Sequence, residues 1–278
     1  MSLPTRRAAV TAAAAFGLAG AGRATARRIV SLNPCLDAVL LSVADPSQVA
    51  ALSHYSRQPL ASSVGPAASR FPFTYESAEE VIALSPDLVL ASRHSSLATR
   101  NSLKRLGVAV ELFSTPDSVA ESLEQVLRIA DLTGHPERGR LEIARIEAAL
   151  AAAAPPAASN PVRALVFQRN GLASGPHTLM DELLRRTGFR NAAVEYGAKR
   201  TTDVPLDSVL ANPPDVLFSG ETLPGAPTWG ERVMKHPALK ALGGRTRIVS
   251  FPEHLMYCGG PNLVESATRL AQARRSLA

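Results

Sequence analysis

Aromatic side chains are scarce, at 5% of 278 residues with a single tryptophan. The formal net charge is +6, yet half of it rests on Arg6, Arg7 and Arg23, in an opening stretch, 1–26, that holds no acid. No Lys/Arg block interleaved with aromatics remains in the rest of the chain, so nucleic acid is not an expected partner. No apolar run is long enough to span a bilayer as a mature segment. There are two cysteines, Cys35 and Cys258, and no C-x-x-C pair, which removes support for a structural zinc site or a thioredoxin motif. Two buried free thiols are the expected state, although an oxidising compartment would permit a disulfide. G-x-S-x-G is also missing, and Cys258 precedes a helix without an evident base. Hydrolase chemistry therefore lacks its nucleophile, and no enzyme is expected.

What is present is a globular composition, 46% hydrophobic and 19% charged, in a chain long enough for one large core or two lobes. The opening segment 1–26 reads as a targeting signal. Thr5-Arg6-Arg7 precedes the small-residue stretch 8–21, and Ala24-Thr25-Ala26 fits an A-x-A cleavage site. The paired arginines fit a twin-arginine signal, while the residues after Arg7 lack its bulky pair, so the export route stays open. Cleavage near Ala26 and export are the expectation.

One phrase is written twice. Residues 78–92 read AEEVIALSPDLVLAS and residues 206–220 read LDSVLANPPDVLFSG, with Pro86-Asp87 and Pro214-Asp215 at the same offset of 128 positions. In each copy an acid, Glu79 or Asp207, opens a short apolar helix, Pro-Asp ends it, and an apolar strand follows. Helix, breaker and strand repeated in order imply two similar lobes.

Elsewhere strands over 28–32, 49–52, 88–91 and 108–112 alternate with helices over 35–43, 78–84 and 97–106, the pattern of a parallel sheet covered by helices. The Pro/Ser-rich stretch 55–75 is too long for a simple connector. From 116 to 154 the apolar residues recur at helical spacing, Val119, Leu123, Val126, Leu127 and Ala130, then Leu141, Ile143, Ile146 and Leu150. A Pro/Ala linker follows before strand and helix alternate again from Val162. The expected plan is an N-terminal α/β lobe over 27–115, a bridging helical region and linker over 116–161, and a C-terminal α/β lobe over 162–278.

Four segments, RIVSLNP, ALSHYSRQP, EEVIALSPDLVLAS and SGPHTLMDELLRRTGFRNAA, occur in an order and spacing that resembles the iron-chelate and vitamin B12 class of periplasmic substrate-binding proteins of ABC importers. The resemblance covers essentially the whole chain from Arg27 onward. It implies an α/β fold of two Rossmann-like lobes joined by a long rigid helix, a ligand held in the cleft between them, and modest closure. It implies a periplasmic monomer without an intrinsic cofactor, working with a permease and its ATPase subunits. The cargo would be a metal chelate, a corrinoid such as cobalamin first, then a ferric siderophore, then haem. A sensory lobe pair that has lost transport is the alternative, against which both repeat acids count.

In this family one acid on each lobe engages permease arginines, and Glu79 and Asp207 occupy the matching positions, with Glu80 as a substitute for Glu79. An acid in the first turn of a helix also complements the helix dipole. At the ligand end the resemblance brings segments around Tyr55 and Phe73, and 92–96, 168–171, 174–178 and 253–260, to the cleft rim. Tyr55 matches a corrinoid-contacting position. Leu255 stands where B12-binding members place tryptophan, and Tyr257 offers an aromatic platform in its stead. Arg57, Arg93, Arg169, His94, His177 and His254 would give the cleft a positive field for an anionic chelate. Cys258-Gly259-Gly260-Pro261 reads either as an anion seat of free N–H groups or as a tight turn starting the last helix. Direct metal ligation by His254, Tyr257 and Cys258 is not expected, for want of a dedicated ligand spacing.

Overall fold

The computed structural model describes residues 25–168, 171–220, 236–242 and 244–277. The targeting segment, but for its last two residues, and Arg169 lie outside them.

The first sheet is built from β1 (Ile29–Ser31), β2 (Val49–Ser53), β3 (Phe73–Thr74), β4 (Leu88–Ser92) and β5 (Ala109–Phe113). Its order is β3-β2-β1-β4-β5 and every pairing is parallel. Strand order reverses between β1 and β4, which opens a crevice beyond their carboxyl ends. The crossovers are α1 (Pro34–Val43), α2 (Ala78–Ala83) and α3 (Leu97–Arg105). Asn33 starts α1: its Oδ1 accepts the N–H groups of Cys35 and Leu36, and Pro34 fills the first turn.

The helical stretch 116–154 is two helices, α4 (Val119–Thr133) and α5 (Pro136–Ala152), packed on each other. Gly134, at φ 79°, ends α4 in the left-handed conformation, and Pro136 starts α5. At 17 residues α5 is the longest helix among the described residues, and it leads toward the second sheet. The buried face of α5 runs through Gly139, Glu142, Ile146 and Leu150, so Leu141, read as part of the apolar stripe, lies outside it and is exposed.

The second sheet comprises β6 (Val162–Phe167), β7 (Leu172–Ser174), β8 (Phe189–Asn191), β9 (Thr201–Asp203), β10 (Val216–Ser219) and β11 (Arg247–Ser250). Its order is β11-β10-β6-β7-β9, with β8 pairing β6. This sheet is mixed: β7 runs antiparallel to β6 and β9, because the short link from Phe167 to Leu172 allows a hairpin and no crossover. Helices α6 (Leu179–Arg186), α7 (Leu206–Ala211), α8 (Pro237–Ala241) and α9 (Asn262–Arg275) complete the fold.

Strand residues alternate between cores, as the two-residue period requires. Ile29, Leu88 and Leu90 face the main core, which also takes Ala164, Val166, Val216 and Phe218 of the second sheet and the inner faces of α1, α4, α5, α6 and α9. Val30, Val89 and Ala91 face a smaller cluster outside the first sheet, and Leu165, Phe167 and Leu217 one outside the second. One apolar interior is therefore continuous from sheet to sheet. Cys35 and Cys258 are joined in a disulfide with Cα atoms 5.0 Å apart. This corrects the expectation of two free thiols: α1 and the turn before α9 meet across that interior, bringing together cysteines 223 residues apart.

Candidate functional site

The carboxyl ends of β1, β2, β4, β5 and β6 open toward a common cleft, where an open α/β sheet holds ligands. Leu32 and Asn33 follow β1, Tyr55 follows β2, His94 and Ser95 follow β4, Ser114 to Pro116 follow β5, and Gln168 follows β6. The far wall comes from the turn that carries Glu253 and Tyr257.

Three adjoining cavities of about 240, 350 and 200 Å³ form this cleft. Tyr257 lines all three; Asn33, Ser92 and His94 join the first to the second, and Thr115 and Pro116 join the first to the third. Together they have the size of a cleft for a compact organic ligand. The walls carry hydroxyl and amide groups, His94 and the carboxylates of Glu76, Asp117 and Glu253. Among the described residues no lysine or arginine lines any of the three.

Buried acids shape the first-sheet side. Asp37, on α1 and fully buried, accepts from Ser53 Oγ at 2.6 Å and Ser53 N at 3.2 Å. It thereby holds the end of β2, from which the chain turns to Tyr55. Burial pushes its carboxyl up to about 7, against the lowering effect of the Ser31 and Ser53 hydrogen bonds. Glu76 lines the middle cavity, and burial raises it also to about 7. His54 Nδ1 lies 3.7 Å from Glu76 Oε1, and burial lowers the His54 pKa. The His54 ring is packed on Tyr55 and stacked with Tyr75, at centroid distances of 4.0 and 5.4 Å.

Of the ligand residues expected from sequence, Tyr55 and Tyr257 come together on the walls of one cavity. Arg57 turns away: it donates to Phe71 O and lies over the Phe73 ring. Phe73, 41% exposed, packs edge-on against Tyr75. Neither Arg93, which is exposed between the wall residues Ser92 and His94, nor His177, exposed at φ 57°, lines any of these three cavities. His254 is half-buried and likewise off the walls, although Glu253 and Tyr257 beside it are on them. Cys258 is buried and bonded to Cys35, so no thiolate is offered to a ligand. The positive field expected of these arginines and histidines is not built into the described walls.

Gly259 and Gly260 do line the cleft, but the Gly260 N–H is already given to Ser122 Oγ at 2.7 Å. A Cβ at Gly260 would lie 2.6 Å from Val39 Cγ2. Close packing between α1 and α4 explains this glycine, and the tight-turn reading holds over the anion seat. Asn33, Ser92, Thr115, Gln168 and Glu76 are wall residues too; Ser92 and Gln168 fall in segments that the resemblance sends to the rim, whereas Asn33, Thr115 and Glu76 are not singled out from the sequence. The first four stand at or just past strand ends, the signal that finds them.

Glu79 and Asp207 are exposed in the first turns of α2 and α7. Glu80 is committed elsewhere, its Oε2 accepting from Thr74 Oγ1 and Tyr75 N.

Known proteins of similar sequence and shape agree with this picture. A cobalamin-binding protein of Halobacterium salinarum is 24% identical over 258 residues, covering 88% of this chain and 69% of its own. The fold matches the periplasmic heme-binding protein RhuT from Roseiflexus sp. RS-1 with a TM-score of 0.70 and 23% identity, over 89% of this chain and 98% of that one. It matches the periplasmic vitamin B12 binding protein BtuF of Vibrio cholerae with a TM-score of 0.67 and 16% identity, over 90% and 97%. The family model described as periplasmic binding protein matches residues 29–243. With two sheets and a cleft at their carboxyl ends, this chain belongs to the periplasmic binding protein family.

Proposed function

We propose that the chain is the periplasmic substrate-binding subunit of an ABC importer and that its cleft captures a corrinoid. The observation that carries the corrinoid reading is the wall chemistry: tyrosine, amide and hydroxyl groups and three carboxylates, without lysine or arginine among the described wall residues. Asp117 is already paired with Arg200. A ligand rimmed by carboxamides finds hydrogen-bond partners on these walls, whereas one rimmed by carboxylates finds no lysine or arginine among their described residues. The 24% identity to a cobalamin-binding protein supports the same choice. Tyr257, common to the three cavities, presents a flat face to a macrocycle at little rotamer cost, with Tyr55 on the same cavity.

Haem is the second reading, because Tyr257, which lines all three cavities, is of a residue type that can hold haem iron. Ferric siderophores come third, since an anionic one finds no lysine or arginine among the described wall residues. On the permease side, Glu79 and Asp207 present carboxylates without a protein partner among the described residues, suited to basic residues of a membrane partner. The segment 1–26 would direct export and be cleaved near Ala26.

Titration of purified protein with cyanocobalamin, haemin and a ferric hydroxamate, followed by visible absorption, tests the reading. Cyanocobalamin is expected to bind below about 10 μM, near −7 kcal/mol. Tighter binding of haemin or of the ferric chelate overturns the corrinoid choice. N-terminal sequencing of exported protein should begin at or near Arg27.

A further inference from the structure

We infer that Glu76 is a specificity-determining residue of the cleft, whose carboxylate receives an N–H donor on the ligand rim and excludes a ligand carrying a carboxylate at that point. The inference rests on the corrinoid reading and names the group that would enforce it.

Glu76 shares its cavity with Tyr55, His94, Glu253 and Tyr257. Its backbone has φ 72°, in the left-handed region that a side chain with a Cβ disfavours. That conformation is held by the Glu76 N–H donating to Thr74 Oγ1 at 3.0 Å, while Thr74 Oγ1 is itself tied to Glu80. The loop therefore sets where Glu76 stands on the wall. Its Oε1 is closed to solvent and has no protein hydrogen-bond donor. The nearest candidate, His54 Nδ1 at 3.7 Å, is beyond hydrogen-bond distance. A closed carboxylate oxygen without a donor is a costly arrangement, and rotation of the side chain toward the cavity it lines lets a ligand N–H relieve it.

The surroundings choose the sign of that ligand group. Asp37 on α1 is near enough for its charge and that of Glu76 to act on each other, and Glu80 on α2 acts on His54. Glu76 and Asp37, raised by burial to about 7, are ionised above about pH 8. There a carboxylate brought to this wall meets a field of its own sign, whereas a primary amide presents two N–H donors and no net charge; the affinities below are therefore measured above about pH 8. A site built around one hydrogen-bonding polarity rejects the analogue of opposite polarity strongly.

The probes are cyanocobalamin and its monocarboxylic acids, each with one peripheral propionamide hydrolysed. Affinities are measured for wild type, Glu76→Gln and Glu76→Ala, with circular dichroism as the check on folding. Wild type should bind at least one acid about tenfold or more weaker than cyanocobalamin. Glu76→Gln, which can accept through its oxygen and donate through its nitrogen, should keep the parent affinity within about threefold and reduce that discrimination to about threefold or less. Glu76→Ala should weaken the parent. Equal discrimination in wild type and Glu76→Gln, or none in wild type, overturns the assignment while leaving the corrinoid reading standing. Failure of wild type to bind cyanocobalamin overturns both.

Discussion

Asp87 and Asp215 perform one task in two places. Asp87 accepts the backbone N–H groups of Arg27 and Arg28 at 2.8 and 3.1 Å, fastening the chain where it enters β1. Asp215 accepts that of Arg163 at 3.0 Å, near the start of β6. In both repeats the arginine reaches back: Arg28 donates to Leu84 O and Ser85 O, and Arg163 to Pro213 O. The repeated Pro-Asp therefore ends a helix and anchors the neighbouring central strand.

Removing either carboxylate should loosen that anchor. Asp87→Ala and Asp215→Ala are each expected to cost about 1–2 kcal/mol, read as a lower urea midpoint. A loss below about 0.5 kcal/mol at both sites would mean that the ties do not carry strand placement.

The Cys35–Cys258 disulfide ties together positions separated by 223 in the chain. For a loop of that length, loop entropy puts the contribution on the order of 5 kcal/mol. Cys35→Ala with Cys258→Ala, or reduction by dithiothreitol, should lower the urea midpoint clearly. An unchanged midpoint on reduction, with free thiols confirmed by mass, would contradict this.

Asp37 makes stability depend on pH in an unusual direction. Its folded carboxyl titrates near 7 against an ordinary 3.8, so the folded chain holds that proton more tightly. The associated stability is present below about pH 4 and is lost as pH rises toward 7. Glu76, raised by burial, acts in the same direction. His54, lowered by burial, acts oppositely as pH rises toward its ordinary value, and Glu195, held near 2 by Arg163, matters only at lower pH. Glu80, whose charge acts on His54, shares this wall. Comparison with Asp37→Asn isolates the group. Wild type should lose about 1–3 kcal/mol relative to the variant between pH 4 and pH 8; urea unfolding at both values decides it, and a constant difference would disprove the assignment.

Tyr257 and Phe73 should separate cleanly in ligand binding. Tyr257→Ala removes the side chain common to three cavities and is expected to weaken the ligand by about 2–3 kcal/mol. Phe73→Leu alters a ring packed on Tyr75 and beneath Arg57, and should change affinity less than about threefold. Calorimetric titration of both variants tests the placement, and the reverse order would move the cleft's centre toward the 55–75 loop.

Glu79→Ala with Asp207→Ala should abolish uptake while leaving ligand affinity unchanged, since both acids are exposed and off the cavity walls. Truncating one partner of an interface charge pair typically costs about 2–5 kcal/mol. Glu80→Ala serves as a contrast: its carboxylate anchors Thr74 and Tyr75, so its loss should disturb the Glu76 loop and ligand affinity. Normal uptake by the double variant would remove the docking role.

Local pattern suffices for much of the architecture. The helix read over 78–84 and the strand read over 88–91 are found at Ala78–Ala83 and Leu88–Ser92, because an uninterrupted apolar strand and a helix stopped before a Pro are written in adjacent residues. The short strands β3, β7, β8 and β9 escape such reading, since two or three residues carry no measurable period and take their form from a neighbouring strand.

The site divides the same way. Tyr55 and Tyr257 are legible as aromatic residues on loops that a family resemblance sends to the rim, and they do share a cavity. Arg57 shows that charge is visible in a sequence but direction is not: its guanidinium donates to Phe71 O and lies over the Phe73 ring. Glu76 is invisible in the sequence, since its burial, its left-handed backbone and its unpaired oxygen depend on residues 37, 54, 74 and 80 converging around it. The sequence alone determined the principal helices and strands, the repeated Pro-Asp breaker and the acids that open its two helices, because each is set by residues within a few positions of one another. Only the tertiary structure decided the disulfide, the neutral-to-acidic wall and the place of Glu76, because each requires contacts between segments that the chain's order keeps far apart.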